Sequence, residues 1–321
     1  MRRLAGLAAA LALAGCAPQR AELPTSPVPA GPGIRVTAQA IGQGAAPVAG
    51  SRFAYAGGLI LTSTDTSRLH GLSDLDVRPD GRLVAVSDEG DLVKGRIVLD
   101  ASGRLAGLAD MTLVSLIDVD ARALSGRKAD ADTEGLALWP NGDLMISFEL
   151  NHRVLLYPAA GGPPREAPKP DTDFPSNDGM EALSLDPASG PDAYLVGRED
   201  TRQTWTCRLA GGCTPRLVAP QHGAGKLVSA RPMRGGGWVL LLRDFQPLTG
   251  PVIWIVITDA AGREVDVHEM RRPASVDNIE GVAPLPQKNG KVRLYLVSDD
   301  NYSNGQRTLL LAFDWTRPTP R

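Results

Sequence analysis

A repeated segment that ends in proline is the feature of this sequence that most restricts its fold. Four copies align without gaps and read SDLDVRP from Ser73, EGLALWP from Glu134, EALSLDP from Glu181 and EGVAPLP from Glu280. A looser fifth copy starts at Leu227, and after each copy a turn leads into a second apolar run. The copies start about 50 residues apart, which is the length of one four-stranded propeller blade.

The repeat predicts an all-β chain folded as a β-propeller of five to six four-stranded blades. One repeat buries little apolar surface alone, and a ring of stacked repeats creates the core. Residues 34–62 also have the pattern of strands, and they could complete the last blade and close the ring. A pair of β-sandwiches is the competing fold, and the long regular period disfavours it.

The first residues have the composition of an export signal. Two arginines precede a short apolar run, and the stretch from Leu13 to Cys16 resembles the cleavage box of a bacterial lipoprotein. We expect residues 1–15 to be removed and Cys16 to be acylated. An ordinary signal peptide with an unrelated cysteine is the alternative. Because Ala17 replaces the Asp usually read as an inner-membrane retention signal, we expect a periplasm-facing outer-membrane lipoprotein.

The remaining chain divides into a tether and one domain. Residues 16–33 are rich in proline and predict an extended tether between the lipid and the domain. Residues 34–321 predict the propeller, which is long enough to support a full core. The formal net charge of −2 indicates no basic surface for nucleic acid. We expect a monomer that meets the membrane through its N-terminal lipid.

Two further cysteines, Cys207 and Cys213, lie in the segment TWTCRLAGGCTPRLV. Two strand-like runs flank the sequence AGG, which predicts a hairpin that brings the cysteines within bridging distance. An exported chain meets an oxidising compartment, so we predict a disulfide between them. Two free thiols are the alternative.

Acidic residues recur at equivalent places in the repeats. The first residue of a repeat begins the innermost strand of its blade, so Glu134, Glu181 and Glu280 should converge at one mouth of the central channel. The second strand runs antiparallel and ends at the same mouth. The residues at those ends are Asp88, Glu89, Glu149, Asn151, Glu199, Asp200, Asp244, Asp299, Asp300 and Asn301.

Converging carboxylates repel one another unless a cation or protons compensate. Ca²⁺ takes six to eight hard oxygen ligands, whereas Zn²⁺ prefers nitrogen and sulfur. The pattern therefore predicts a Ca²⁺ site, and the candidate ligands are Glu134, Glu181, Glu280, Asp299, Asp300 and Asn301. The alternative is that turns and arginines hold the acids without metal, the arginines being Arg153, Arg198, Arg243 and Arg307.

Arginines interleaved with these acids suggest phosphate binding, since a guanidinium fits a phosphate with two hydrogen bonds. Neutralisation of the acids alone is the alternative role. His70 and His152 lie near strand ends at the same mouth and could act as a general acid or base. The catalytic candidates are Glu149, His152, Arg153 and Arg198. No G-x-S-x-G elbow, phosphate loop or dinucleotide fingerprint occurs.

Several segments resemble the bacterial phytase-like family described as having "esterase-like activity of phytase". They are GLSDLDVRPDGRLVAVSDEG, DTEGLALWPNGDLMISFELNHRVLLYP, NDGMEALSL and SDDNYSNGQRTLLLAFDW, and the resemblance covers about residues 53–315. It implies an exported propeller that hydrolyses phosphoesters or esters. The positions that match its motifs are Asp132, Glu134, Glu149, Arg153, Asn177, Glu181, Glu280, Asp299, Asp300 and Asn301. Asp74 departs from the family, whose members often carry Gly there.

Three functions remain open on these grounds. The first is a lipid-anchored, Ca²⁺-dependent hydrolase acting on a small-molecule phosphoester or ester at the acidic mouth. The second is a metal-dependent lactonase or carboxylesterase, and the third is a propeller of the cell envelope that binds without catalysis. A propeller fold serves many functions, so the fold does not choose among them.

Overall fold

The structure is a computed structural model that describes residues 33–42, 51–272 and 276–318. The predicted signal peptide, the acylation site at Cys16 and all of the predicted tether except Gly33 lie outside these residues. Across the described ranges the chain is all-β apart from one helix of four residues. Among the same residues, no helix is both long enough and apolar enough to cross a bilayer.

Twenty-one strands are found in the described residues and form five sheets. The first two are β1 (Val36–Ala40) and β2 (Phe53–Ser63). Blade 1 contains β3 (Leu72–Val77), β4 (Arg82–Ser87), β5 (Asp91–Leu99) and β6 (Leu105–Ser115). Helix α1 (Lys128–Ala131) precedes blade 2, which contains β7 (Thr133–Leu138), β8 (Leu144–Phe148), β9 (Arg153–Tyr157) and β10 (Arg165–Ala167).

The later blades follow the same order from the channel outward. Blade 3 contains β11 (Ala182–Leu185), β12 (Ala193–Gly197), β13 (Gln203–Arg208) and β14 (Cys213–Val218). Blade 4 contains β15 (Lys226–Pro232), β16 (Trp238–Gln246), β17 (Gly250–Thr258) and β18 (Glu264–Arg271). Blade 5 contains β19 (Asn278–Pro286), β20 (Val292–Asp299) and β21 (Leu309–Trp315).

Blade 5 is completed by the start of the chain. Strand β2 pairs antiparallel with β21, with Phe53 opposite Trp315, and β1 adds a fifth strand outside β2. The innermost strands β3, β7, β11, β15 and β19 contact one another in a closed circle. The prediction that residues 34–62 close the ring is confirmed, and the described residues form five blades without a sixth.

The hydrophobic core lies between the blades. Five clusters of buried residues occupy the five interfaces between neighbouring sheets. Strand β17, with the sequence GPVIWIVIT, is buried at every position because it lies inside its sheet and packs on both faces. This explains why its sequence is a continuous apolar run instead of an alternating pattern.

On blade 3, Cys207 and Cys213 face each other across β13 and β14 and form a disulfide, as the hairpin spacing predicted. The bridge ties the outer edge of the blade together. Because it lies at the rim of the propeller, it takes no part in the channel.

Candidate functional site

Three glutamates of the repeat converge at one mouth of the channel, as the sequence predicted. Glu134 lies in β7, Glu181 immediately precedes β11, and Glu280 lies in β19. All three are less than 10% exposed. Burial, followed by repulsion from Glu181 and neighbouring acids, raises the pKa of Glu134 well above its usual value. Burial and repulsion from Glu199 and Glu280 raise the pKa of Glu181 in the same way.

The second strands return to the same mouth. Glu149 follows β8, Glu199 follows β12, and Asp299 ends β20. Burial and repulsion from Asp132 raise the pKa of Glu149 to about 7, despite a hydrogen bond from the Gly179 amide to its Oε1 at 3.0 Å. Burial and the charge on Glu280 raise the pKa of Asp299. We call eight acidic side chains at this mouth the acidic cup. They are Glu89, Asp132, Glu134, Glu149, Glu181, Glu199, Glu280 and Asp299.

Lys226 was missed by the sequence reasoning, which began the fifth copy of the repeat at Leu227. It lies six residues before Pro232, just as Glu134 lies six residues before Pro140. Blade 4 therefore places a lysine where the other blades place a glutamate or Ser73. Counting back from the proline would have found it.

Cations neutralise one side of the cup. Arg243 donates hydrogen bonds to the carboxylate of Glu280, to Glu199 at 3.2 Å and to the amide oxygen of Asn278 at 2.6 Å. Lys226 pairs with Glu199 at 3.3 Å and with Asp178. On this side, the contacts agree with the predicted alternative, in which arginines pair with the acids without a metal. Burial still raises the pKa of Glu280 to about 7.

On the other side of the cup, Lys128 is the cation that pairs with a cup carboxylate. Within the described ranges, neither the Glu134 nor the Glu181 carboxylate makes a hydrogen bond or ion pair, although the charge on Arg243 opposes the raised pKa of Glu181. One oxygen each from Asp132, Glu134 and Glu149 lies within 4.8 Å of the others, and all three residues are buried. Lys128 pairs with Asp132 at 2.5 Å, and its remaining contacts go to Asp88. We call Asp132, Glu134 and Glu149 the carboxylate triad.

Glu89 lies on the same side of the cup as the triad and Lys128. It is 5% exposed, and its Oε1 has no hydrogen-bond partner in the described part of the chain. Burial, together with repulsion from Asp88, raises the pKa of Glu89 to about 7, and Asp132 adds to this repulsion. A buried carboxylate oxygen without a donor is costly unless a proton or a cation compensates it.

A buried ion pair closes the channel below the cup. Arg231 of β15 pairs with Asp74 of β3 at 2.5 Å and is 4% exposed. Its guanidinium also donates to main-chain oxygens of β3, β7, β11 and β19, which are Leu75 at 3.0 Å, Leu136 at 2.8 Å, Leu183 and Val282 at 3.1 Å. One side chain therefore bonds to all four other inner strands, and the acidic cup is closed at its base.

Asp74 is part of this closure and not of the cup. Its carboxylate accepts hydrogen bonds from the amides of Leu75 and Leu136, each at 2.9 Å. Burial raises the pKa of Asp74 to about 6, although Arg231 opposes the shift. Asp74 thus supplies the partner of the central arginine.

Three of the predicted catalytic residues contact groups outside the cup. Arg198 makes paired hydrogen bonds to Asp200 at 2.6 and 2.9 Å. Arg153 packs on the ring of Phe148 at 4.0 Å and donates to main-chain oxygens of Asn151 and Asp130. Nε2 of His152 donates to the main-chain oxygen of Pro175 at 2.9 Å, and its Nδ1 is buried without a partner among the described residues.

Gly179 brings His152 next to the cup. A side-chain carbon at Gly179 would lie 3.1 Å from Cε1 of His152 and 3.2 Å from Oε1 of Glu149. The absence of a side chain lets both residues pack on this backbone. Of the predicted catalytic set, Glu149 lies in the triad and His152 borders it.

Asp299 and Asp300 separate at the end of β20, although they are adjacent in sequence. Asp299 accepts hydrogen bonds from the Asn301 amide at 2.6 Å and from Asn278 at 3.3 Å, within the cup. Asp300 instead contacts His70 at 2.5 Å and Thr308 at 2.8 Å. The Asn301 side chain is exposed, and its side-chain amide nitrogen donates to the side-chain oxygen of Gln306 at 3.0 Å. The six predicted ligands therefore do not all meet at one point.

Five blades around a closed, acid-lined cup define the chain as a five-bladed β-propeller. Its sequence matches the family model of phytase-like proteins, described as "esterase-like activity of phytase", over residues 67–302. The chain belongs to this family, which confirms the resemblance of its motifs. No curated protein sequence matches the chain.

Solved propeller structures are similar in fold at low sequence identity. A putative gluconolactonase is 13% identical, covers 89% of this chain and 91% of its own, and has a TM-score of 0.47. A streptogramin B lyase is 11% identical over 79% of this chain and 86% of its own, with a TM-score of 0.42. A PQQ-bound aldose sugar dehydrogenase from Streptomyces coelicolor is 12% identical, and the match covers 88% of this chain and 99% of that chain, with a TM-score of 0.43.

Proposed function

We propose that the chain is a divalent-cation-dependent hydrolase of small phosphoesters or esters, and that Ca²⁺ binds at the carboxylate triad. The observation that carries the proposal is the contrast within the cup. Arg243 and Lys226 compensate one side, whereas three buried carboxylates on the other side approach within 4.8 Å with Lys128 as their cation. Such an arrangement is unfavourable without a positive charge or bound protons.

The donor set fits Ca²⁺. Asp132, Glu134 and Glu149 offer only oxygen, which Ca²⁺ prefers and Zn²⁺ does not. Repulsion from Asp132 contributes to the raised pKa of Glu89, and repulsion from Glu181 contributes to that of Glu134, so both residues add negative charge near the triad. Ca²⁺ takes six to eight ligands, so water or substrate oxygens would complete the shell.

A cation at the triad would polarise a phosphoryl or acyl oxygen of the substrate. The protein's own groups would orient the site. Lys128 fixes Asp132, and the Gly179 amide fixes Glu149. Arg243 and Lys226 keep the opposite side near neutral, so that an anionic substrate is not repelled there. Because Arg231 closes the base, substrate would enter and product would leave through the same mouth.

A substrate panel tests the proposal. The purified full-length chain, stripped with EDTA and supplied with Ca²⁺, is expected to hydrolyse aryl phosphates or phytate. Glu134→Gln should lower activity at least about 10-fold at subsaturating Ca²⁺, because a triad charge is lost. Glu166→Gln is the matched control, since Glu166 is an exposed glutamate on β10.

The other two functions are outcomes of the same panel. Hydrolysis of aryl esters or lactones alone would assign the chain to the lactonase or carboxylesterase class. Saturable Ca²⁺ binding without hydrolysis of any substrate would support a non-catalytic binding propeller. Failure of both Ca²⁺ binding and hydrolysis would overturn the proposal.

We further propose that the chain is a monomeric outer-membrane lipoprotein facing the periplasm, acylated at Cys16. The lipoprotein box supports this proposal. Incorporation of labelled palmitate into the wild type, but not into Cys16→Ser, is the expected result. Equal labelling of the two chains would contradict it.

A further inference from the structure

A histidine–aspartate pair lies at the boundary between blades 5 and 1. His70 precedes β3, and Asp300 follows β20, so the two residues are distant in sequence. Nδ1 of His70 lies 2.5 Å from Oδ2 of Asp300. Asp300 is 4% exposed and also accepts hydrogen bonds from Thr308 at 2.8 Å and from the Gly71 amide at 3.3 Å. The Tyr302 amide donates to Oδ1 at 3.2 Å as well, so four groups fix the aspartate.

The other ring nitrogen of His70 is available. The His70 side chain is 39% exposed, and its Nε2 has no hydrogen-bond partner among the residues that the structure describes. A carboxylate at Nδ1 holds the proton on that nitrogen and leaves Nε2 as an acceptor in the neutral ring. The hydrogen bond to Asp300 raises the pKa of His70, against the effect of burial.

A series of contacts, one ring–ring contact followed by hydrogen bonds, connects this pair with Asp132 of the triad. The Tyr302 ring lies 5.7 Å from the His70 ring, and its hydroxyl donates to Oδ1 of Asp88 at 2.9 Å. Lys128 bridges Oδ2 of Asp88 at 2.8 Å and Asp132 at 2.5 Å. These contacts place the pair on the side of the cup that contains Lys128 and Asp132.

The backbone around Tyr302 is strained in a way that preserves these contacts. Asn301 and Tyr302 both adopt positive φ angles, of 50° and 52°. Positive φ angles are unfavourable for residues that carry a side chain, and such strain concentrates at functional sites. A side-chain carbon at Gly71 would lie 2.0 Å from Oδ1 of Asp88, so only glycine fits beneath the Tyr302–Asp88 bond.

The other histidines lack this combination. His268 is buried between Phe53 and Phe313. His222 pairs with Glu264 at 2.7 Å on the surface of blade 4 and stacks on Trp254. Nδ1 of His152 is buried without a partner in the part of the chain that the structure describes, so no carboxylate of these residues orients its ring.

From this geometry we infer that His70 is a catalytic residue, the general base of the hydrolysis, and that Asp300 is its positioning residue. The inference rests on the proposed function. A water O–H bond breaks and its proton passes to Nε2, while the water oxygen forms a bond to phosphorus or to the acyl carbon. The ester bond to the leaving oxygen then breaks with its electron pair, and the imidazolium returns the proton to that oxygen. His70 ends neutral, as it began.

This role accounts for the separation of Asp299 from Asp300. Asp299 belongs to the acidic cup, whereas Asp300 holds the histidine. Neighbouring residues at a strand end point in opposite directions, which lets one dipeptide serve both tasks.

Steady-state kinetics of four purified full-length chains test the inference: wild type, His70→Asn, Asp300→Asn and His222→Asn. The substrates are an aryl phosphate and an aryl ester at saturating Ca²⁺. His70→Asn should lower kcat about 100-fold or more with little change in KM, since general-base catalysis contributes about 10²–10⁴-fold. His222→Asn removes a surface histidine that also pairs with a carboxylate, and it should match the wild type.

The test of Asp300→Asn includes a measurement that would stay unchanged if Asp300 had only a structural role. We expect kcat to fall about 10-fold or more with little change in KM, and the ¹⁵N shifts of His70 to lose the wild-type pattern of a protonated Nδ1 and an acceptor Nε2. Binding of Ca²⁺ by Asp300→Asn should remain as in the wild type, which separates this residue from the triad.

The outcomes distinguish the two levels of the hypothesis. An active wild type with His70→Asn as active as His222→Asn would overturn the role of His70 and leave the proposed function intact. A wild type that hydrolyses neither substrate class would overturn both. An unchanged tautomer and kcat in Asp300→Asn would overturn the positioning role alone.

Discussion

Replacing the central arginine tests whether one side chain locks the five blades together. Arg231→Met keeps most of the apolar volume but removes the ion pair with Asp74 and the four hydrogen bonds to main-chain oxygens of the other inner strands. Asp74, 1% exposed, would then be a buried carboxylate without its cation.

The size of the effect follows from these contacts. Removing one partner of a buried ion pair costs about 3–5 kcal/mol, and each buried carbonyl left without a donor adds to this. We therefore expect the free energy of unfolding to fall by at least about 4 kcal/mol. For a domain of this size that corresponds to a decrease in Tm of about 8 °C or more.

Denaturation in urea, followed by tryptophan fluorescence, measures the change. Arg293→Met is the matched control, because Arg293 is also buried and pairs with Asp314 at 2.5 Å but lies away from the axis. Asp74→Asn in the Arg231→Met background should restore about half of the loss, since the amide oxygen still accepts a hydrogen bond. Equal losses in the two arginine variants, with no rescue by Asp74→Asn, would refute the reasoning.

Two further predictions concern the cup and the rim. Burial and mutual repulsion raise the pKa of Glu149 and of Glu280 to about 7, above the unfolded value near 4.5, so the folded state binds more protons than the unfolded state between these values. The Tm of the EDTA-treated chain should therefore fall as pH rises from about 5 to 7. Saturating Ca²⁺ should reduce this dependence of Tm on pH. A Tm that rises across this pH range in EDTA would contradict the prediction. The double variant Cys207→Ser/Cys213→Ser lacks the disulfide, so its free energy of unfolding should be lower by about 2 kcal/mol and its Tm by about 4 °C, as measured by thermal melts. Its Ca²⁺ affinity, measured by calorimetric titration, should equal that of the wild type.

The fold could be predicted because its information is local and repeated. Each blade carries the same short strand ending in proline, and the period fixed the architecture before any contact was known. The same alignment placed Glu134, Glu181 and Glu280 at one mouth, since equivalent positions in a propeller meet around one axis.

The contents of the site depended on contacts that the repeat does not encode. Arg231 reaches four other strands across the channel, and nothing in the sequence around it indicates that reach. Asp300 contacts His70, 230 residues away in sequence, because the chain turns at the end of β20. The position of Arg243 on one side of the cup also depends on contacts with residues that are distant in sequence.

The most direct test of the central claim is a thermal melt of the full-length chain in mild detergent, first in EDTA and then with titrated Ca²⁺. At a Ca²⁺ concentration about 100 times Kd, binding to the folded state should add about 2.7 kcal/mol, or about 5 °C in Tm. Glu134→Gln should melt higher than the wild type in EDTA, because repulsion within the triad is relieved, and should lose the response to Ca²⁺. Glu166→Gln should retain it. An unchanged Tm in the wild type at millimolar Ca²⁺ would contradict the account, because the buried carboxylates would then be compensated without a cation.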